Sequence, residues 1–562
     1  MKAIGRRSVA LAMLAVAGAT STHAERRISI EAYRDKMKGG WIGQIAGVSW
    51  AAPTEFKWKD AIMPATNMPP WTPDTINHAF GQDDLYVEMT FLRSLEEYGL
   101  DVPIRQAGID FANSGYKLWC ANAAGRKNLR RGIAPPDSSH PRFNRCPNDI
   151  DYQIEADYAG LISPGMPNSV IALGEKFGRL MNYGDGVYGG QFVGGMYAEA
   201  FFEADIQRII AAGLACIPAE SQYAEMVRDM VRWHGENPGD WEGTWKLCQK
   251  KYRETPEYQQ ASNGGIDVKI NGAYVLMGLL YGNGDIDKTI TISARCGQDS
   301  DCNPSSSAGV LCAALGFSRL PPRFTERLDL ETKFSYTAYT WPGLIDTCEK
   351  LARQIVVREG GRVEKGADGK ESLVIPSRAP KPSKLEFSWA PGPIANSAFT
   401  PEEYARVRFK PHPADVGGDD PTVRVQGAVD VLFPGWKTTP NGKDMSPGYR
   451  EEYAGRSHVV MTHPLDRQTG ATLSKRIDVP QGGSPRLEVI VANHAKGDFL
   501  FVARVDGEDV LRQKVGGEKA KWRSITIDLG AYRGRSAAVD LVNQPDGWSS
   551  EAAYWGAIEF KQ

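Results

Sequence analysis

The chain of 562 residues has little net charge and few histidines. Its 66 basic and 68 acidic residues leave a formal net charge of −2, so it lacks the basic footprint typical of nucleic-acid-binding proteins. Its 8 histidines fall in no recognisable motif, and the absence of any Cys-x-x-Cys pair argues against a thiolate zinc site. Charged residues make up 24% of the chain, an ordinary fraction that excludes wholesale disorder.

The N-terminal apolar run is too short to cross a membrane. Residues 8–17 are small and apolar, follow Lys2, Arg6 and Arg7, and precede small residues at Thr22 and Ala24. This pattern predicts a signal peptide over residues 1–24, cleaved after Ala24, and therefore a secreted or periplasmic protein without a membrane span. A short buried N-terminal helix is the alternative.

Cysteine is absent beyond residue 348, although eight cysteines precede it. Export would permit disulfide bonds, and Cys120 and Cys146 are the best candidates because they flank a loop-like stretch. The full pairing stays open, and several other cysteines lie in apolar helical runs that suit buried thiols.

The sequence texture changes after the last cysteine. Helical periodicity predicts an α-helical domain over residues 25–355, although 289–292 alternates like a strand. Residues 356–388 are rich in Gly, Lys, Pro and Ser and predict a linker. Period-two segments, among them 422–431, predict a β-sandwich or jelly roll over residues 389–562.

Two motifs of the helical domain combine glycine with acidic residues. Gly39, Gly43 and Gly47 recur at every fourth position ahead of Glu55, so one helical face is bare and another backbone can approach closely. Further on, 81–84 (Gly-Gln-Asp-Asp) opens an amphipathic helix, where two carboxylates also suit a simple N-terminal cap.

A third motif places Asp299 and Asp301 just before Cys302-Asn303-Pro304. Asn303 suits an N-cap and Pro304 suits the first position of a helix that stops at Gly316. Carboxylates beside an apolar helix indicate a cation, because unpaired buried charge is costly. Their hard oxygens suit Mg²⁺, Mn²⁺ or Ca²⁺ better than Zn²⁺.

The joint order of these motifs resembles the ADP-ribosylglycohydrolase family. The resemblance covers about residues 33–345 and includes an acidic stretch at 148–152 and a glycine-rich stretch at 182–189. It implies an all-α orthogonal bundle with a central cleft for one or two divalent metal ions, Mg²⁺ before Ca²⁺ or Mn²⁺. Gln82 and Cys302 stand where family members usually carry Ser or Thr. The Asp-x-Asp-Cys-Asn version resembles a bacterial branch whose substrates are other glycosides.

The resemblance also implies roles for individual residues. Glu55 would contact the leaving group as general acid or gate, one Asp would act as general base, and a metal-activated water would be the nucleophile. The predicted catalytic residues are Glu55, Asp84 and Asp299. The predicted metal ligands are Gln82, Asp83, Asp84, Asp299 and Asp301. The predicted substrate-binding residues are Asp151, Asn182, Asp185, Tyr188, Gly189 and Asn303.

Together these features predict an exported, metal-dependent glycoside hydrolase with a carbohydrate substrate. One alternative is a hydrolase of N- or O-linked ADP-ribose, and another is a catalytically inactive sugar-binding protein. The β-sandwich resembles modules appended to secreted carbohydrate-active enzymes, with Trp548 a candidate to stack on a sugar ring and an inert structural role as the alternative. The sequence leaves the sugar, the stereochemistry and the oligomeric state open.

Overall fold

The computed structural model describes residues 24–261, 266–409, 420–517 and 519–562. The predicted signal peptide, except Ala24, lies outside these residues. The chain divides into two compact units, with the boundary between Arg408 and Phe409. The first unit is helical, and the second is an antiparallel β-sandwich. No helix among the described residues is long and apolar enough to cross a membrane.

The described residues of the first unit form sixteen α-helices, three of which, α5, α6 and α16, have only four or five residues. They are α1 Ile30–Ala51, α2 Asp83–Tyr98, α3 Ile104–Ala112, α4 Cys120–Arg130, α5 Asp151–Ile154, α6 Asp157–Leu161, α7 Pro167–Phe177, α8 Asp185–Ala200, α9 Ile206–Leu214, α10 Gln222–Glu236, α11 Trp241–Cys248, α12 Val268–Gly282, α13 Ile286–Arg295, α14 Cys302–Leu315, α15 Trp341–Arg358 and α16 Pro401–Ala405.

Helices α1 and α14 pack closely in the core of this unit, as the glycine spacing predicted. A Cβ on Gly39, Gly43 or Gly47 would overlap backbone atoms of α14, at Cys312, Ala308 and Pro304 respectively. The missing side chains therefore allow the two backbones to touch. This contact fixes the first turn of α14, which follows the Asp-x-Asp motif.

Two local expectations about helices have different outcomes. The alternating stretch 289–292 lies inside α13, as the family resemblance implied, because Asp285 caps that helix by accepting from the backbone N–H of Lys288. The expected N-cap at Asn303 is wrong. Helix α14 begins two residues earlier than predicted, at Cys302, with Asp301 in the cap position.

The segment predicted as a linker, 356–388, is instead built into the first unit. Its start completes α15, and strands β2 Arg362–Lys365 and β3 Glu371–Pro376 join β1 Glu25–Ser29 in an antiparallel sheet of order β1-β3-β2. Its surface is rich in Lys and Ser, but Leu373, Val374 and Ile375 are buried. Composition alone hid this short apolar run. The second unit accordingly begins about twenty residues later than predicted.

The second unit packs two five-stranded antiparallel sheets around one apolar core. The strand orders are β10-β9-β12-β7-β4 and β11-β8-β13-β6-β5. The strands are β4 Lys437–Thr438, β5 Gly448–Tyr453, β6 Arg456–Thr462, β7 Ala471–Asp478, β8 Arg486–Asn493, β9 Phe499–Val505, β10 Glu508–Val515, β11 Trp522–Asp528, β12 Ser536–Gln544 and β13 Ala553–Lys561.

The strand predicted over 422–431 is wrong, because this segment is helix α17, Pro421–Leu432. Asp420 caps it by accepting from the backbone N–H of Thr422, and Pro421 occupies the first turn. Its buried residues Val425, Ala428 and Val429 follow a helical spacing that the alternation of the sequence obscured.

The cysteines of the first unit fall into two groups. The Sγ atoms of Cys120 and Cys146, the pair that the sequence favoured, lie 2.6 Å apart as free thiols, and the disulfide stays a prediction. The other six cysteines are buried.

Candidate active site

Four aspartates and one cysteine converge where α2 and α14 begin. A carboxylate oxygen of Asp83, one of Asp84 and the Sγ of Cys302 lie within 4.8 Å of one another, and the same holds for Asp299, Asp301 and Cys302. Cys302 belongs to both groups and so joins the two pairs predicted from the sequence. Its thiol lies 3.1 Å from Asp84 Oδ2 and donates to it. We call the four aspartates the acid cluster.

The loop that carries Asp299 and Asp301 is tied to the segment that follows α1. Phe56 N–H donates to the Gln298 carbonyl over 3.1 Å, and Gln298 N–H donates to the Trp58 carbonyl over 3.0 Å. The hydroxyls of Thr54 and Ser300 lie 2.8 Å apart. These bonds place Glu55 beside the acid cluster, although more than 240 residues separate them in sequence.

Asp84, Asp299 and Asp301 are buried, and among the described residues no ion pair joins the acid cluster to a base. Burial, with the charges of Asp83 and Asp299, raises the pKa of Asp84 well above its usual range. Burial likewise raises the pKa of Asp299 to about 7 and that of Asp301 well above its usual range. Within the described residues, Asp84 Oδ1 and Asp299 Oδ1 have no hydrogen-bond partner. A bound cation would satisfy both oxygens, so the donor set fits a divalent metal.

Glu55 lies at the exposed edge of this arrangement. Its side chain is solvent-exposed, yet partial desolvation and the charge of Asp83 raise its pKa. Its own charge contributes to the raised pKa of Asp301. Glu55 is therefore an electrostatic neighbour of both aspartate pairs, as predicted for a residue on the leaving-group side.

Asp151 also lies near the acid cluster, and two hydrogen bonds from helix α4 hold it there. Asn122 donates its backbone N–H to Asp151 Oδ2 over 2.9 Å and its side-chain Nδ2 to Asp151 Oδ1 over 3.0 Å. Burial and the charge of Asp149 raise the pKa of Asp151, and the charge of Asp83 raises it by a smaller amount. The structure thus brings Asp151 close to Asp83.

Of three other predicted residues, Asn182 and Asn303 hydrogen-bond to the segments that carry the acids, whereas Gln82 does not cap its helix. Asn182 binds the backbone of the acidic stretch, accepting from Tyr152 N–H and donating to the Asp149 carbonyl over 2.7 Å. Asn303 donates to Asn271, which also accepts from the N–H of Asp299. Gln82 is half-buried in the N-cap position of α2 and makes no side-chain cap bond.

Tyr188 and Gly189, two of the predicted substrate-binding residues, lie in the packed core of the helical unit. Tyr188 is fully buried, and its hydroxyl donates to the Lys384 carbonyl over 2.7 Å. A Cβ at Gly189 would press on Val268, so this glycine serves helix packing. Asp185 accepts from the backbone N–H of Tyr223, and Lys269 rather than the acid cluster is its neighbouring charge.

Sequence reasoning missed a deeper layer of acids beneath the cluster. Glu88 accepts from Gln44 Nε2 over 2.7 Å, and Asp157 accepts from the Tyr197 hydroxyl over 3.0 Å. Glu155 shares Asn122 with Asp151. Glu88 follows Asp84 by four residues and Glu155 follows Asp151 by four, a same-face helical spacing that would have revealed two of the three.

Comparison with known proteins agrees with this geometry. The family model for ADP-ribosylglycohydrolase matches residues 29–362, more than half of the chain. The chain belongs to the ADP-ribosylglycohydrolase family. Membership supports a hydrolase that acts on glycosyl bonds, in a family that is typically dependent on divalent metal. No curated protein matches the chain.

Solved structures resemble each unit at low identity. An ADP-ribosylglycohydrolase-related protein shares 15% identity over 57% of this chain and 97% of its own, with a TM-score of 0.35. A family 35 carbohydrate binding module from Clostridium thermocellum shares 12% identity over 22% of this chain and 90% of its own, with a TM-score of 0.17. Arthrobacter globiformis T6 isomalto-dextranase, complexed with panose, shares 14% identity over 23% and 24%, with a TM-score of 0.16. At these scores the likenesses carry no argument about substrate.

Proposed function

We propose that this protein is an exported, metal-dependent glycoside hydrolase that acts on a carbohydrate outside the cytoplasm. The observation that supports it best is the acid cluster, in which, among the residues that the structure describes, no carboxylate is paired with a base and two oxygens have no hydrogen-bond partner. Perturbed titratable groups gathered in this way are typical of functional sites. The family supports glycosyl hydrolysis, and the predicted signal peptide favours a substrate outside the cell over cytosolic ADP-ribosylated protein.

The four aspartates of the acid cluster would hold one or two divalent cations, of which Mg²⁺ suits their oxygens best. When bound, such a cation would lower the pKa of a water and orient sugar hydroxyls. The thiol of Cys302 is a poor ligand for a hard ion, and its observed role is to donate to Asp84.

The chain's own residues would divide the proton transfers between them. Glu55, whose pKa is raised by partial desolvation and by the charge of Asp83, would donate a proton to the departing oxygen. Asp299, whose Oδ1 has no hydrogen-bond partner among the described residues, would accept a proton from the attacking water. Asp151, held by Asn122, would receive a sugar hydroxyl.

Sugar release from a panel of aryl glycosides and glycans, assayed with Mg²⁺ and with chelator, tests this proposal. We expect metal-dependent release of one sugar and its loss in Asp299→Ala. Thermal unfolding with and without Mg²⁺ should show stabilisation of the wild type by about 2.7 kcal/mol at a hundredfold excess over Kd, and less in Asp299→Ala. Equal melting of both proteins under both conditions would contradict the metal site.

Family membership favours one second candidate, hydrolysis of an ADP-ribosyl bond. ADP-ribosyl-arginine therefore belongs in the same panel, and its cleavage alongside silence on every glycoside would select this candidate. Export is tested separately, by N-terminal sequencing of protein recovered from outside the cytoplasm, where a first residue other than Glu25 would contradict cleavage after Ala24.

A further inference from the structure

Three tyrosine rings form one aromatic cluster at helix α2. The ring centroids of Tyr86 and Tyr116 are 4.8 Å apart, and Tyr336 lies edge-on to both, at 5.3 Å from Tyr86 and 5.9 Å from Tyr116. Tyr86 and Tyr116 are buried, whereas Tyr336 remains 69% exposed. We call these three residues the tyrosine trio.

The backbone at Tyr336 adopts a conformation that a tyrosine rarely takes. Its φ of 61° lies in the left-handed region, where bulky side chains are uncommon and where strain often accompanies function. The surrounding turn holds it there, since Ser335 N–H donates to the Phe80 carbonyl and Phe334 N–H donates to the Tyr339 carbonyl. The rings of Phe80 and Phe334 also stack, with centroids 4.4 Å apart.

This turn connects the trio to the acid cluster. Phe80 lies three residues before Asp83, so the bond from Ser335 fixes the exposed ring relative to the first carboxylate pair. Tyr86 follows Asp83 by three residues on α2, so the two side chains lie on the same side of this helix. Tyr86 therefore bridges Tyr336 and the acid cluster.

The opposite side of the trio borders a cavity of about 800 Å³. Tyr116 and Tyr336 form part of its wall, together with Thr90 on α2. Asp83 and Thr90 are seven residues apart, which is about 10 Å along a helix and comparable with the length of a disaccharide. Cavities of this volume, with aromatic walls and a few polar groups, are typical of small-molecule sites.

The charges around this cavity favour a neutral ligand. Three arginines among its lining residues balance three carboxylates. Arg93 pairs with Glu97 over 2.6 Å, Asp110 accepts from Ser94 and Gln106, and Glu96 accepts from Tyr339. With these carboxylates already engaged, the wall has no excess charge to attract a phosphate, and its polar groups suit hydroxyls.

We propose that the tyrosine trio and the adjoining cavity form a second carbohydrate subsite, which binds neutral sugar units remote from the bond that the acid cluster cleaves. This inference rests on the proposed function for the identity of the ligand as a carbohydrate. Tyr336 is the specificity-determining residue of the subsite, because it alone among the trio offers an exposed ring.

Direct binding tests the subsite without requiring turnover. Neutral gluco-, xylo- and manno-oligosaccharides of increasing length are titrated calorimetrically into the full chain in the presence of chelator. We expect affinity to rise with chain length for one series and to fall at least tenfold in Tyr336→Asn. Asparagine tolerates the left-handed conformation, so this variant keeps the turn while removing the ring. Tyr336→Phe keeps the ring and should retain binding.

Leu330→Ala is the matched control, since Leu330 is similarly exposed, at 49%, but does not line the cavity. It should bind as the wild type does. Binding by Tyr336→Asn equal to that of the wild type, or no binding of any series by the wild type, would overturn the subsite. Hydrolysis of the same sugars with Mg²⁺ is assayed in parallel. Binding without hydrolysis would count against the hydrolase and leave the subsite standing.

Discussion

Each unit of this protein gathers several carboxylates, and the two groups differ in what neutralises them. In the β-sandwich, Asp498, Asp546 and Glu551 approach one another, and Lys514 bridges the first two over 2.9 Å and 2.8 Å. Among the described residues of the helical unit, no ion pair of this kind joins the acid cluster to a base. The buried Lys269 and Arg179 of that unit pair with other acids.

The comparison separates a structural ion group from a site that needs an external cation. An ion pair supplied by the chain itself completes the sandwich group without any ligand. The acid cluster instead keeps carboxylates buried at a cost in stability, which is typical of a functional site. The predictions below alter one group while using the other as its reference.

The largest expected effect is on turnover. Asp84→Asn removes one charge from the acid cluster with little change in shape, and we expect metal-dependent activity to fall by about 10²–10³-fold, the usual range for a lost electrostatic contact to the reacting centre. Glu551→Gln makes the same kind of change in the sandwich and should leave activity intact. Steady-state kinetics on the substrate found in the panel measures both. Similar losses in the two variants would remove the distinction between the groups.

The next effect concerns the helix contact that positions the cluster. A Cβ in Gly43→Ala would overlap the Ala308 carbonyl, so α1 and α14 must separate, and we expect a loss of about 2–4 kcal/mol in the free energy of unfolding. Gly235, in α10, has no atom near the added carbon, and Gly235→Ala should stabilise by about 0.5–1 kcal/mol. Denaturant unfolding measures both, and equal effects would mean that the contact is unimportant.

A third effect is the pH dependence of the metal-free protein. Burial raises the pKa of Asp157 from 3.8 to about 8, so the folded state binds an extra proton between about pH 4 and pH 8. The contribution of Asp157 to the free energy of unfolding is therefore greatest below pH 4. It is lost as the pH rises towards 8, by an amount on the order of a few kcal/mol. Asp157→Asn should flatten the curve of unfolding free energy against pH. An unchanged slope would show that Asp157 does not titrate in this range.

The smallest effect is expected at the sandwich group. Lys514 is more than half exposed, so Lys514→Ala should lower the free energy of unfolding only slightly, as for other exposed ion pairs. The same variant leaves the three carboxylates without their base. Thermal unfolding with and without Ca²⁺ would then show a metal effect on this variant that the wild-type sandwich lacks. No difference between the two proteins would mean that Lys514 is not what neutralises the group.

Motif order predicted much of the helical unit and its acids. Asp83, Asp84, Asp299, Asp301, Glu55 and Asp151 are neighbours, as expected, because helix starts and the glycine face constrain where these motifs lie. The sequence could not place Tyr188 and Gly189 in the packed core, because a glycine-rich helix has the same pattern whether it borders a pocket or another helix. Residues 356–388 failed as a linker because strand pairing with β1 involves residues that are more than 330 positions away.

Three features of this protein follow from neighbouring residues alone: which helices begin with carboxylates, which helical face lacks side chains, and where helical periodicity changes to alternation. Those features depend on neighbouring residues and are visible in one dimension. Only the tertiary structure decided that Cys302 joins both aspartate pairs, that Asn122 holds Asp151, and that Tyr336 lies beside Tyr86. Each of these contacts joins distant parts of the chain, and burial with its effect on charge exists only after the chain has folded.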